Sequence, residues 1–131
     1  NMSDIKRYEI TWSELVCAPK VTIDIDFSRF AADEAIQILE RAGVIENKIL
    51  VIVDDIEKLA SILMRTLAWG LFCNLIEKAT STEEANNFLR RARLIRENGK
   101  PGKFENIGVR FISIKDWDIG HQRGVTIEEV S

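Results

Sequence analysis

The sequence predicts an α+β domain: an antiparallel sheet of three to four strands, made of an N-terminal hairpin and a late strand, with about three helices packed on one face. Three observations lead there. Two early segments alternate apolar and polar residues, the middle of the chain holds one long apolar run at helical spacing, and a late segment returns to alternation. With 131 residues, 46% hydrophobic and 30% charged, the chain has the size and content for one core, so 2–131 is expected to be a single domain. Asn1, ahead of Met2, reads as a tag remnant.

Over 5–12, Tyr8, Ile10 and Trp12 fall on one side and Arg7, Glu9 and Thr11 on the other, the rhythm of a half-buried strand. Over 20–27, Val21, Ile23, Ile25 and Phe27 oppose Lys20, Thr22, Asp24 and Asp26, so the two segments form a hairpin around the connection 13–19. Asp24 and Asp26 have the look of catalytic or metal-binding carboxylates. Their alternation with β-branched residues assigns them instead to a solvated sheet face. A first helix is expected over 32–42, with Ala35, Ile38, Leu39 and Ala42 inward, Asp33 and Glu34 in its first turn and Gly43 closing its end.

The segment 46–58 is ambiguous. Lys48 to Val53 has the β-branched run of a buried strand, whereas Ile45, Ile49, Ile52, Ile56 and Leu59 step at helical spacing. The favoured reading is a helix that continues into the next one, because no Gly, Pro or Asn separates them.

That next helix, over 59–76, is the element the rest must cover. Leu59, Leu63, Leu67, Leu71 and Leu75 recur every four residues, Ala60, Met64, Ala68 and Phe72 fill the adjoining stripe, and Cys73 reads as a small core residue. Ser61, Arg65 and Asn74 leave only a narrow polar seam, so burial over most of the circumference is expected, either inside the domain or partly in a subunit interface. Eighteen such residues approach the lower limit for a membrane span. A central Arg65, which costs about 2.5–3.5 kcal/mol at the bilayer centre, and flanks without strongly basic anchors argue against one. A homodimer using part of this helix, between Leu59 and Ile76, is expected because so small a sheet cannot cover it alone.

A third helix starts at the capping box Ser81 to Glu84 and is expected to run until Asn98-Gly99 stops it. Ala85, Phe88, Leu89, Ala92 and Ile95 form its buried stripe. A strand over 107–114 follows, with Val109 and Phe111 opposite Arg110, then a polar loop over 116–124 and a short last strand over 125–130.

Net charge is −3 with a pI near 5.3, which excludes a globally basic nucleic-acid binder. The positive charge is concentrated late: residues 1–79 carry 9 Lys/Arg against 13 Asp/Glu, and residues 80–131 carry 9 against 8. Its densest part is Arg90, Arg91, Arg93 and Arg96, with Lys100 and Lys103 after them. These six are the candidate binding residues, for an acidic protein or for phosphate backbone, against a simple solvated helix end favoured by the dipole. His121, the only histidine, sits in Gly120-His-Gln-Arg-Gly124, where it could act as a base beside Arg123, but no orienting partner is identifiable. One His and two distant Cys, Cys17 and Cys73, supply neither a metal site nor a disulfide framework. No cofactor is implied.

The run Ile49 to Asp55 resembles the apolar strand and acidic pair of a response-regulator receiver, and loosely a Walker B segment, but the later strand with its phospho-accepting Asp is missing. Gly99-Lys-Pro-Gly-Lys103 has the wrong spacing for a phosphate loop. Taken in order, Arg7-Tyr-Glu-Ile-Thr-Trp12, the apolar helix ending near Leu75 and Glu105-Asn-Ile-Gly-Val-Arg110 resemble a small phage- and prophage-borne family of unknown function, from which this chain is expected to depart by a longer, more basic third helix. The resemblance implies bacterial cytoplasm and mobile elements, which agrees with the lack of a secretory pattern in the first ten residues. It supplies no active-site residues.

The expected function is therefore a non-enzymatic phage or prophage accessory protein acting by protein binding, as inhibitor or adaptor. One alternative is a toxin-neutralising immunity protein presenting Asp24, Asp26, Asp54 and Asp55. Another is nucleic-acid binding through the Arg-rich helix. An enzyme using His121 comes last.

Overall fold

A computed structural model describes residues 4–45, 55–118 and 129. The order of elements is β1 (Ile5–Thr11), β2 (Lys20–Asp26), α1 (Ala32–Arg41), α2 (Ile56–Lys78), α3 (Thr82–Arg91), a 3-10 turn (Glu105–Ile107) and β3 (Val109–Lys115). The strands form an antiparallel sheet of order β1-β2-β3, an α+β fold as the alternating segments predict. The questions of strand or helix over Lys48 to Val53, of Asp54, of His121 and Arg123, and, but for Glu129, of a last strand over 125–130 lie outside the described residues.

β2 is the centre of the sheet, and its inward residues Val21, Ile23 and Ile25 are fully buried. On β3 the inward set is Val109, Phe111 and Ile114, a change of phase that strict alternation does not allow. A bulge reconciles them: Thr22 pairs with Ser113 and Ile23 with Phe111, so Ile112 is the extra residue and the strand turns Ile114 back to the core. All three helices contribute to this same core, with Ala35 and Leu39 from α1, Ala85 and Leu89 from α3, and eight residues of α2.

α2 is long and apolar enough to cross a membrane by length and composition, but its Leu59, Leu63, Leu71 and Leu75 stripe is here the middle of the core. Two expectations about it need correction. It does not continue a preceding helix: Asp55 has an extended backbone (φ −124°, ψ 94°) and its side chain accepts hydrogen bonds from the amides of Glu57 and Lys58, so the helix begins at Ile56. An Asp ahead of a helical run is itself a start signal. Nor is Cys73 the core residue it reads as: it is exposed, with Trp69, Gly70, Asn74 and Ile76, so one chain by itself leaves part of the apolar helix uncovered.

α1 ends as expected at Gly43 (φ 73°), with the amide of Gly43 on the Glu40 carbonyl and that of Val44 on the Leu39 carbonyl, although Ala42 is exposed. α3 opens on its capping serine, Ser81 Oγ accepting from the Glu84 amide at 3.2 Å while the Glu84 carboxylate reaches back to Thr80. It then ends seven residues before the Asn98 stop predicted for it. Arg93 adopts φ 59°, its amide bonds the Arg90 carbonyl and the Leu94 amide the Leu89 carbonyl, the same closing motif as in α1 with Arg where Gly is usual. Ile95 is thus outside the helix and forms a parallel bridge to Phe111 at the edge of β3.

Farther along that edge, Asn86 acts as a surrogate strand. Its amide oxygen accepts from the Ile114 N–H at 3.0 Å and its Nδ2 donates to the Ile114 carbonyl at 2.9 Å. The polar loop expected after β3 holds the largest fully buried side chain, Trp117, whose Nε1 donates to the Ala79 carbonyl at 3.0 Å.

Candidate protein-binding surface

The six candidate basic residues do not share one helix face. Arg90 and Arg91 occupy the last turn of α3, where the exposed carbonyls favour cations. Arg93 reverses the chain, and the segment after it runs extended to a tight hairpin: Glu97 and Lys100 exchange backbone hydrogen bonds of 3.1 and 2.9 Å around Asn98 (φ 53°) and Gly99 (φ 78°). Asn-Gly with both residues at positive φ is the preferred two-residue hairpin turn, a signal read above as a helix stop.

This turn folds Lys100 back beside α3. Arg90, Arg93, Asn98 and Lys100 line one shallow depression, and Arg90 and Arg91 line its neighbour, with Glu97 shared by both. Arg90 donates to the Asn87 side chain. Among the described residues none of the Arg90, Arg91, Arg93 and Lys100 side chains is in an ion pair, and all four are exposed.

The other two leave the group. Lys103 lies over the Phe104 ring, 5.6 Å from its centroid, while its amide donates to the Arg93 carbonyl at 2.7 Å. Arg96 turns to the opposite side, where Nη2 meets Glu105 Oε1 at 2.7 Å and the guanidinium shares a pocket with Asp24, Asp26, Arg29 and Arg110. Burial pushes the Glu105 carboxyl up, but the hydrogen bonds from Arg96 and the Gly102 amide, with the charges of Arg96 and Arg110, outweigh it and hold it below the usual carboxylate range. Arg96 is raised in turn, chiefly by its hydrogen bond to Glu105.

A carboxyl held down in the folded state adds stability that is fully present above its unfolded value, about 4.3, and is lost as pH falls through the folded one. Urea unfolding of wild type and Glu105→Gln should therefore differ most near neutral pH and converge as pH falls below the unfolded value and through the folded one. A gap that stays constant over that range would mean that the Glu105 charge contributes nothing.

The three acidic candidates among the described residues, Asp24, Asp26 and Asp55, are each occupied locally. Asp24, expected on a solvated face, is buried: Arg7 on β1, its register partner, clasps it through Nε at 2.7 Å and Nη2 at 3.0 Å. Central strands are screened by the long side chains of both neighbours, which alternation alone does not report. Asp26 accepts from the Ser28 amide and hydroxyl, and Asp55 caps α2. Among the described residues no group of three or more His, Cys, Asp or Glu is placed to hold a metal ion.

A second surface lies on α2, the helix expected to pair in a homodimer, through residues of which only Arg65 and Cys73 stood out in the sequence. Trp69 is 55% exposed and packs edge-on against Trp12, with ring centroids 5.3 Å apart. Trp12 stacks in turn on Phe72, and Phe72 on Trp117. The missed signal was the i, i+4 placement of Arg65, Trp69, Cys73 and Glu77, polar at both ends and therefore a surface row. Comparison with known protein families, with curated proteins and with solved structures finds no match.

Proposed function

We propose that the chain is a non-enzymatic accessory protein that works by binding an acidic protein partner, as inhibitor or adaptor, on the basic rim formed by Arg90, Arg91, Arg93 and Lys100. One observation carries this reading. Lys6, Arg7, Arg96 and Lys115 are matched with Glu57, Asp24, Glu105 and Glu9, whereas the four rim cations gather around shallow ground whose one lining carboxylate, Glu97, is in no ion pair with them among the described residues. Such a patch steers an oppositely charged partner and sets its association rate more than its final affinity. The bacterial cytoplasm and a phage or prophage setting, implied by the resemblance of the β1, α2 and β3 segments, belong to the same proposal.

The test is capture from bacterial lysate on the tagged chain, with and without nuclease, repeated with Arg90→Ser, Arg93→Gly and the two combined. Arg93→Gly is the informative variant: it removes a charge and also relieves a left-handed backbone, so the fold should be as stable or more stable. The expected result is a stoichiometric acidic protein that survives nuclease and whose association slows roughly tenfold with the double variant. Retention of nucleic acid alone, removed by nuclease, would transfer the rim to phosphate recognition. Capture indifferent to both variants would remove the rim from function.

A further inference from the structure

We infer that the exposed row of α2 is the contact surface for a second copy of this chain, in an antiparallel two-fold pairing of the two α2 helices. This surface is separate from the basic rim, so either reading can fail without the other.

Arg65, Trp69, Cys73 and Glu77 are all exposed and stand at successive i, i+4 positions, forming one ridge about 18 Å long. Its order is cation, aromatic, small, anion. Reversed end to end, this order becomes its own complement. An antiparallel pairing centred at the level of Leu71 sets Arg65 opposite Glu77 of the second copy and Trp69 opposite Cys73 of the second copy, and two-fold symmetry repeats each contact. A surface meant for an unrelated protein has no reason to be self-complementary in charge.

The ground beside the ridge suits a close approach. Gly70 is exposed, and a Cβ built on it would meet nothing within 4 Å, so the groove flanking the ridge has an open floor at the crossing point. Ridges of this kind settle into such grooves with the helices inclined at about 50°. Both polar side chains of the flanking row have a donor turned back onto the helix: Thr66 Oγ1 donates to the Ile62 carbonyl at 2.9 Å and Asn74 Nδ2 to the Gly70 carbonyl at 2.9 Å. Ile76, 40% exposed, extends the apolar ground. Trp69 is already braced on Trp12, which lowers the ordering cost of using it as an anchor.

A contact built on one helix is small, so the dimer is a reversible one with a dissociation constant in the micromolar range. The experiment is sedimentation equilibrium of the full chain across the micromolar range, with Arg65→Glu, Glu77→Arg and the double variant. Both positions are exposed, and unchanged thermal unfolding at low concentration checks that each variant folds. The expected result is a concentration-dependent species of about 30 kDa, twice the 15.0 kDa chain. Each single reversal should raise the dissociation constant roughly tenfold or more, because symmetry turns two attractive contacts into two repulsive ones, and the double variant should return close to wild type. The inference is overturned by a chain that stays monomeric, by a dimer indifferent to both reversals, or by reversals that the double variant does not rescue. A monomer that still captures an acidic protein through the basic rim would overturn this inference and leave the proposed function standing.

Discussion

Trp117→Ala should cost about 3–5 kcal/mol of unfolding free energy, the range for emptying a fully buried aromatic site. The indole is wholly inaccessible to solvent, lies nearly parallel to Phe72 (9° between planes, centroids 5.8 Å apart) and approaches Trp12 at 6.4 Å. Its removal opens a cavity bounded by those rings and leaves the Ala79 carbonyl, at the end of α2, without its donor. Against a typical total of about 5–15 kcal/mol, such a loss brings the domain close to unfolding, with a melting temperature lower by roughly 10–20 °C. Trp117→Phe keeps one aromatic ring in the site but loses the N–H together with the rest of the indole, so it should cost less than the alanine variant, about 1–3 kcal/mol. Urea and thermal unfolding of the two variants give the comparison. A Trp117→Ala loss below about 1 kcal/mol would show that the residue is not part of the core.

Gly108→Ala should be nearly as damaging, at about 2–4 kcal/mol, although it adds a single methyl group. Gly108 has φ 86°, a left-handed conformation that strains any residue with a Cβ. Space is short as well. A Cβ there would lie 2.8 Å from the Asp26 carbonyl oxygen and 2.9 Å from the backbone of Phe30, none of which is a yielding side-chain tip. The close approach exists because Asp26 donates its amide to the Gly108 carbonyl at 2.9 Å and Ala31 donates to that of Ile107 at 3.2 Å, the two bonds that sew the entry of β3 to the end of β2 and the start of α1. Unfolding of Gly108→Ala, with Gly70→Ala as control, isolates the effect: Gly70 is helical, exposed and unobstructed, so its replacement should stabilise the helix by up to about 1 kcal/mol. Equal and small effects at both glycines would refute the strain argument.

The candidate surface was only partly legible in the chain. Six cations between Arg90 and Lys103 stand out in the sequence as one dense group, and four of them do gather around two adjoining depressions that share Arg90. They meet because the helix ends early and an Asn-Gly hairpin brings Lys100 back, a geometry that hangs on Arg93 taking a left-handed conformation without the glycine that would announce it. Arg96 was diverted for a reason no local pattern carries, the presence of Glu105 nine residues on, whose other oxygen is held by the Gly102 amide.

By itself the sequence determined the α+β class, the places of the three described strands, the apolar run that becomes α2, the capping box of α3 and the close of α1 at Gly43. Each depends on backbone geometry within a few residues, where a periodicity of two or 3.6 and the chemistry of a cap are direct physical constraints. Only the tertiary structure decided that Asp24 is buried under Arg7, that Trp117 belongs to the core, that a bulge at Ile112 resets β3, and that α2 keeps one row in solvent. Burial is a property of what lies across the sheet or against the helix from elsewhere in the chain. Periodicity says which residues share a face, and the packing of distant segments says whether that face is covered.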